Sequence, residues 1–169
     1  DVILKKDTID KFFLTIKNVE NFGIIAPLSR NEKYKNFNID NDKSIKEVES
    51  VKGFAMFLNM KNLKKINFFD ENFFLYFEEI DLCKRLRNQN IKIYIDPLVE
   101  VSHLGGASHN TQINKPMELS RNWHWMWSSF YFHKKHHGYI PAFIRILPKL
   151  ISSIIKFVIY TIIFKKFKK

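Results

Sequence analysis

No aspartate or glutamate occurs after Glu118 in this 169-residue chain. Residues 1–118 carry 18 Lys/Arg and 17 Asp/Glu, whereas residues 119–169 carry 10 Lys/Arg and no acid. The formal charge of +11 therefore sits almost wholly in the last third. That third is also the most apolar and aromatic part, with Trp123, Trp125, Trp127, Phe130, Tyr131 and Phe132 followed by Ile/Leu/Phe-rich sequence to Phe164. A basic segment attracts polyanions, either nucleic acid or anionic lipid. A nucleic-acid arm is more often polar between its charges, so aromatic, aliphatic and Lys residues together favour a membrane surface. No nucleic-acid partner is expected.

The same segment is poorly built to span a bilayer. From Ile146 to Phe164 it is interrupted by Pro148, Lys149 and Lys156, and its longest charge-free run is Phe157 to Phe164. A spanning helix needs ~20 predominantly apolar residues. Lys156 near the centre would cost roughly 2.5–3.5 kcal/mol. The expectation is an in-plane, peripheral helix whose cations (Arg145, Lys149, Lys156, Lys165, Lys166, Lys168 and Lys169) reach the headgroups.

The first 118 residues read differently. Ile9, Phe12, Phe13 and Ile16 recur at helical spacing over 8–17, with Asp7 as N-cap. Phe22-Gly-Ile-Ile-Ala-Pro27 is a buried strand stopped by Pro. Residues 29–50 are polar and aperiodic, a long loop of the kind often used for function. A strand is predicted over 51–60 and a helix over 78–88. Another strand runs over 91–95 and stops at Asp96-Pro97, and a short extended piece over 99–102 ends at His103. Residues 104–108 must turn. A helix is predicted over 117–137 and is broken at Gly138 and Pro141 before the terminal amphipathic helix. Alternation of strands and helices predicts an α/β class with about four strands. The boundaries expected are 1–116 for the α/β part, 117–138 for the aromatic helix and 139–169 for the basic tail. The chain opens on Asp1 without a secretory pattern, which predicts a trimmed or missing upstream portion.

Hydrophobic residues at 46% permit a sizeable core, and one cysteine, Cys83, rules out an internal disulfide framework. Cys83 is expected to be a small buried hydrophobe. The densest acidic site is Glu78-Glu79-Ile80-Asp81, after the aromatic run Phe73–Phe77. The helix dipole favours ionised carboxylates there, while apolar walls and like charges raise one pKa. A carboxylate held between those pulls can act as a general base; acid enrichment in a first turn is equally a common structural feature. His103 stands at a strand's carboxyl end, where open α/β sheets bind ligands. His133, His136 and His137 lie among lysines on a solvated or lipid-facing surface. No P-loop, GxGxxG, HExxH or CxxC pattern occurs. Ser108 lacks the Gly-x-Ser-x-Gly frame of a nucleophile elbow, so serine hydrolase chemistry is unsupported.

The run Phe69-Asp70-Glu71-Asn72-Phe73-Phe74-Leu75-Tyr76-Phe77-Glu78-Glu79-Ile80-Asp81-Leu82-Cys83-Lys84-Arg85-Leu86 strongly resembles a signature of family 2 glycosyltransferases, closest to the rhamnosyltransferase and galactofuranosyltransferase-like subgroup. The blocks Gly53-Phe-Ala-Met-Phe-Leu58, Ile91–Pro97, Val101-Ser-His103-Leu-Gly-Gly-Ala-Ser108 and Arg121-Asn122 with Tyr131–Lys135 are similar to others of that family, in order. Glu118, three before Arg121, replaces the Gln of the processive-synthase pattern, which argues against a polymerising enzyme.

The resemblance implies a partial GT-A fold, Rossmann-like with a mixed sheet, followed by the amphipathic helical tail. It also implies that the N-terminal nucleotide-binding half is absent and that the fragment alone is inactive. It implies an inverting transferase that moves a sugar from a nucleotide-sugar donor to a glycan or lipid-linked acceptor in cell-surface polysaccharide synthesis, at the cytoplasmic face of the membrane. Glu79 stands where the family has its catalytic carboxylate, with Glu78 and Asp81 as alternatives. Asp1 and His103 are implied as ligands of Mg²⁺ or Mn²⁺. Gly53, Asp70, Glu71, Tyr76, Arg85, Gly105 and Ser108 are implied on the substrate side. Two other classes remain open: a membrane-associated module without chemistry, and a nucleic-acid-binding protein using the tail.

Overall fold

A computed structural model describes residues 2–29, 43–103 and 114–166. The element order is β1 (Val2–Leu4), α1 (Thr8–Ile16), β2 (Phe22–Ser29), β3 (Lys46–Glu47), β4 (Phe57–Leu58), α2 (Met60–Lys64), α3 (Glu78–Asn88), β5 (Lys92–His103), α4 (Asn114–His137) and α5 (Tyr139–Lys166). The chain divides into two compact units. Residues 1–72 and 78–118 form the first, and residues 73–77 and 119–169 the second.

The first unit is a mixed α/β domain built on one five-stranded sheet. Its path is β1-β5-β2-β4, with β3 also paired to β5. The central pair β2–β5 is parallel, whereas β1, β3 and β4 pair antiparallel. All eight residues of β2 are buried, as expected for a central strand covered on both faces. Alternate residues of β2 divide between two apolar clusters. Ile24 and Ala26 pack with Leu82, Cys83 and Leu86 of α3 and with Ile93 and Ile95 of β5. Ile25 faces the other way, with Phe12 of α1, Phe22 and Val99. The sheet is thus clothed by α3 on one side and α1 on the other, a partial Rossmann-like arrangement. Gly23 is required by packing. A Cβ there would lie 2.6 Å from Leu86 Cδ2.

Several local expectations are corrected. Asp96-Pro97 does not end the strand, because β5 continues to His103. The pairing of β2 with β5 jumps from Pro27↔Asp96 to Leu28↔Glu100, so a bulge absorbs the proline, as edge or bulge positions allow. Asp96 is buried there. It accepts hydrogen bonds from the Thr15 hydroxyl and from the Leu98 backbone N–H. The loop expected over 29–50 contains β3, whose ladder to β5 gives it order that its composition did not announce. The strand expected over 51–60 shrinks to Phe57–Leu58 and is followed by the unforeseen α2. Buried Asn62 fixes α2 by donating to the Phe22 carbonyl at 2.9 Å. Asp7 precedes α1 without a side-chain capping bond; it pairs instead with Lys11 at 2.8 Å.

In the second unit, α4 and α5 meet at Gly138, whose φ of +89° is a left-handed conformation suited to glycine. Pro141 breaks nothing. It sits in the first turn of α5, where a missing N–H costs little. Ser128 on α4 is buried and donates to the Leu75 carbonyl at 2.7 Å. Phe73 and Phe77 stack edge-on or tilted against Tyr131 and Phe132.

Candidate active site

In the first unit, a cleft of about 510 Å³ opens between the start of α3, the end of β5 and the segment leading to β4. Helix α3 contributes Glu79 and Ile80; the segment before β4 contributes Ser50, Val51, Lys52 and Phe54; β5 contributes His103. The topology explains the convergence. The α3–β5 connection lays β5 parallel to β2, and the extra residues of the bulge carry His103 to the strand's last position. The Phe54 ring stacks on the His103 imidazole at 4.7 Å with an interplanar angle of 16°. A Cβ on Gly53 would touch the Glu79 side chain at 3.6 Å, so the backbone before β4 runs against the carboxylate.

Burial holds the Glu79 carboxyl above its ordinary value, and the charge of Glu78 pushes it the same way. The backbone amides of Glu79 and Ile80 pull against that shift, as helix N-terminal N–H groups do. The Oε2 atoms of Glu78 and Glu79 are both buried, and among the described residues neither has a hydrogen-bond partner. A half-buried carboxylate with an uncommitted oxygen, lining the same cleft as an imidazole, can accept a proton from a substrate hydroxyl. Tyr76 and Phe77, directly before this acid pair, adopt positive φ of 68° and 70°. Both belong to the second unit and neither lines the cleft.

The remaining expected residues fall elsewhere. Asp81 is fully buried in an ion pair with Arg85 at 2.7 Å, and Arg85 also donates to the carbonyls of Ile66 and Phe68. This pair ties α3 to the turn over 66–68, where Asn67 and Phe68 have positive φ; neither residue lines the cleft. Asp70 accepts from the backbone and side-chain amides of Asn72, forming a local turn, and Glu71 is exposed. Tyr76 belongs to the second unit. Asp1, Gly105, Ser108, Lys168 and Lys169 lie outside the described residues, as do the side chains of Lys165 and Lys166. Arg145, Lys149 and Lys156 lie on α5. Cys83 is buried and its thiol is pushed up to about 11 by burial, so it stays protonated.

Sequence reasoning missed Ser50, Val51, Lys52 and Phe54 as lining residues. The only signal was their position around Gly53, where the chain turns before β4.

Among the described residues no group of three or more His, Cys, Asp or Glu is placed to hold a metal. The ladder pairs Val2 with His103, so the chain's first residue directly precedes the partner of that imidazole.

The fold and cleft define a Rossmann-like α/β domain with a carboxylate–imidazole cleft beyond the carboxyl end of a central strand. Over 80 residues the chain is 29% identical to a low-salt glycan biosynthesis hexosyltransferase, Agl10, of Haloferax volcanii. That stretch is 47% of this chain and 23% of the relative, so this chain spans less than a quarter of that protein. No family model matches the chain, and no solved structure matches it.

Proposed function

We propose that the chain is part of an inverting glycosyltransferase that uses a nucleotide-sugar donor and a glycan or lipid-linked acceptor. The observation that carries this reading is the meeting of Glu79 and His103 in one cleft, with the Glu79 carboxyl raised by burial. The similarity to a hexosyltransferase supports the same class. In this reading Glu79 takes the proton of the acceptor hydroxyl as its oxygen attacks the donor's anomeric carbon. The bond from that carbon to the diphosphate breaks, and the diphosphate leaves on the opposite face. A raised carboxyl is the stronger base, provided it is ionised at the working pH. Ile80 and the Phe54–His103 stack wall the cleft and limit water at the reacting centre. Asp1 and His103 would hold a divalent ion, which when bound neutralises charge on the departing diphosphate.

The test is Glu79→Gln in the complete gene product, assayed for sugar transfer from a panel of nucleotide-sugars. The variant should lose about 10²–10⁴ in turnover while keeping donor binding. Undiminished transfer would remove the base from the scheme.

A further inference from the structure

The second unit carries an apolar surface that its own fold leaves open. On α5, Ile140 is 72% exposed, Ile144 61%, Ile151 47%, Ile154 53% and Val158 46%. These positions are four, seven, three and four residues apart and fall on one stripe of a helix. Arg145, Lys149, Ser152 and Lys156, spaced four, three and four, form a second stripe roughly 150° round the same helix. Lys149 of the second stripe contacts α4, whereas Arg145, Ser152 and Lys156 are exposed. The Lys149 ammonium lies 3.2 Å from the centre of the Trp125 ring, and Ala142, on that side, is fully buried. The isoleucine stripe lies across α5 from that contact.

We infer that this stripe docks in the plane of an anionic lipid bilayer. Charge complementarity and exposed apolar area together select that surface. Residues 119–169 carry 10 Lys/Arg and no acid, and anionic headgroups would neutralise them as the isoleucines enter the acyl boundary. A second copy of the chain supplies no carboxylate from this stretch and brings like charges together. A nucleic acid would answer the cations and leave the isoleucines in water. No described helix is long and apolar enough to cross a membrane, and Lys156 interrupts the apolar run. The helix thus lies flat, its Lys stems reaching outward. The inference is independent of the transferase reading, because it requires no property of the cleft.

The experiment places an environment-sensitive fluorophore on the 169-residue chain at Ile151→Cys or Ser153→Cys, positions on opposite sides of α5. Native Cys83 is buried. Vesicles of phosphatidylcholine alone are compared with vesicles containing phosphatidylglycerol. The expected result is a blue shift at position 151 and little at 153, only with anionic vesicles and reversed by salt. Cosedimentation should weaken about fivefold for each cation removed in Arg145→Gln and Lys156→Gln. The triple variant Ile144→Ser, Ile151→Ser, Ile154→Ser, all at exposed sites, should lose binding while its circular dichroism is unchanged. Equal blue shifts at both positions would overturn the in-plane arrangement. A concentration-dependent shift without lipid, accompanied by dimers in sedimentation velocity, would overturn the lipid assignment in favour of self-association. Absence of binding to anionic vesicles would overturn the inference outright.

Discussion

Glu79→Gln should make the protein more stable while disabling it. The carboxylate is only partly exposed, its Oε2 is buried without a hydrogen-bond partner among the described residues, and Glu78 adds like charge beside it. Keeping the ionised form against burial and the like charge of Glu78 costs free energy that a neutral amide does not incur. Glu79 keeps part of its hydration, so the gain is modest, about 1 kcal/mol. The amide keeps the shape and removes the charge. For a chain of this size that gain corresponds to about 2–4 °C in Tm. The pH dependence follows from the direction of the shift. The folded carboxyl is raised above its ordinary value of 4.5, so the native state protonates at higher pH than the unfolded chain. Native stability from the protonated form is fully present below 4.5 and is lost as pH rises through the raised value. The advantage of the glutamine variant should therefore be full near neutrality and vanish toward acid. Urea denaturation of both proteins from neutral to acid pH measures it. A variant less stable at neutral pH, or an advantage that does not change with pH, would refute the reasoning that this carboxylate is strained by burial.

Three further outcomes are expected. Asp81→Asn removes the carboxylate charge opposite the partly buried Arg85, which keeps its bonds to the Ile66 and Phe68 carbonyls, and should cost about 1.5–3 kcal/mol in urea denaturation, the range for a charged hydrogen bond. Gly23→Ala forces a methyl to 2.6 Å from Leu86 and should cost about 1–3 kcal/mol; Leu86→Ala in the same chain should recover part of that loss. Cys83, buried with its thiol pushed up to about 11, should react with a thiol reagent only after unfolding, and labelling kinetics with and without denaturant check this.

The sequence by itself determined the parts that depend on local order and composition. The helix over 78–88 appeared as Glu78–Asn88 because its acids, apolar face and terminal arginines all agree along one stretch. The buried strand starting at Phe22 was legible as an apolar run, although it runs through Pro27 to Ser29 rather than stopping at the proline, and the acid-free, isoleucine-rich end of the chain was legible from composition alone. Tertiary structure decided the rest. Asp96-Pro97 reads locally as a stop, yet pairing with β2 across a bulge carries β5 on to His103. Asp81 and Glu79 are near neighbours in sequence with the same chemistry, but helix rotation sends one into a buried pair with Arg85 and the other into the cleft. Lys52 and Phe54 reach that cleft only because the chain before β4 runs past α3. Such placements depend on which distant segments share the sheet, and no local pattern of residues encodes that choice.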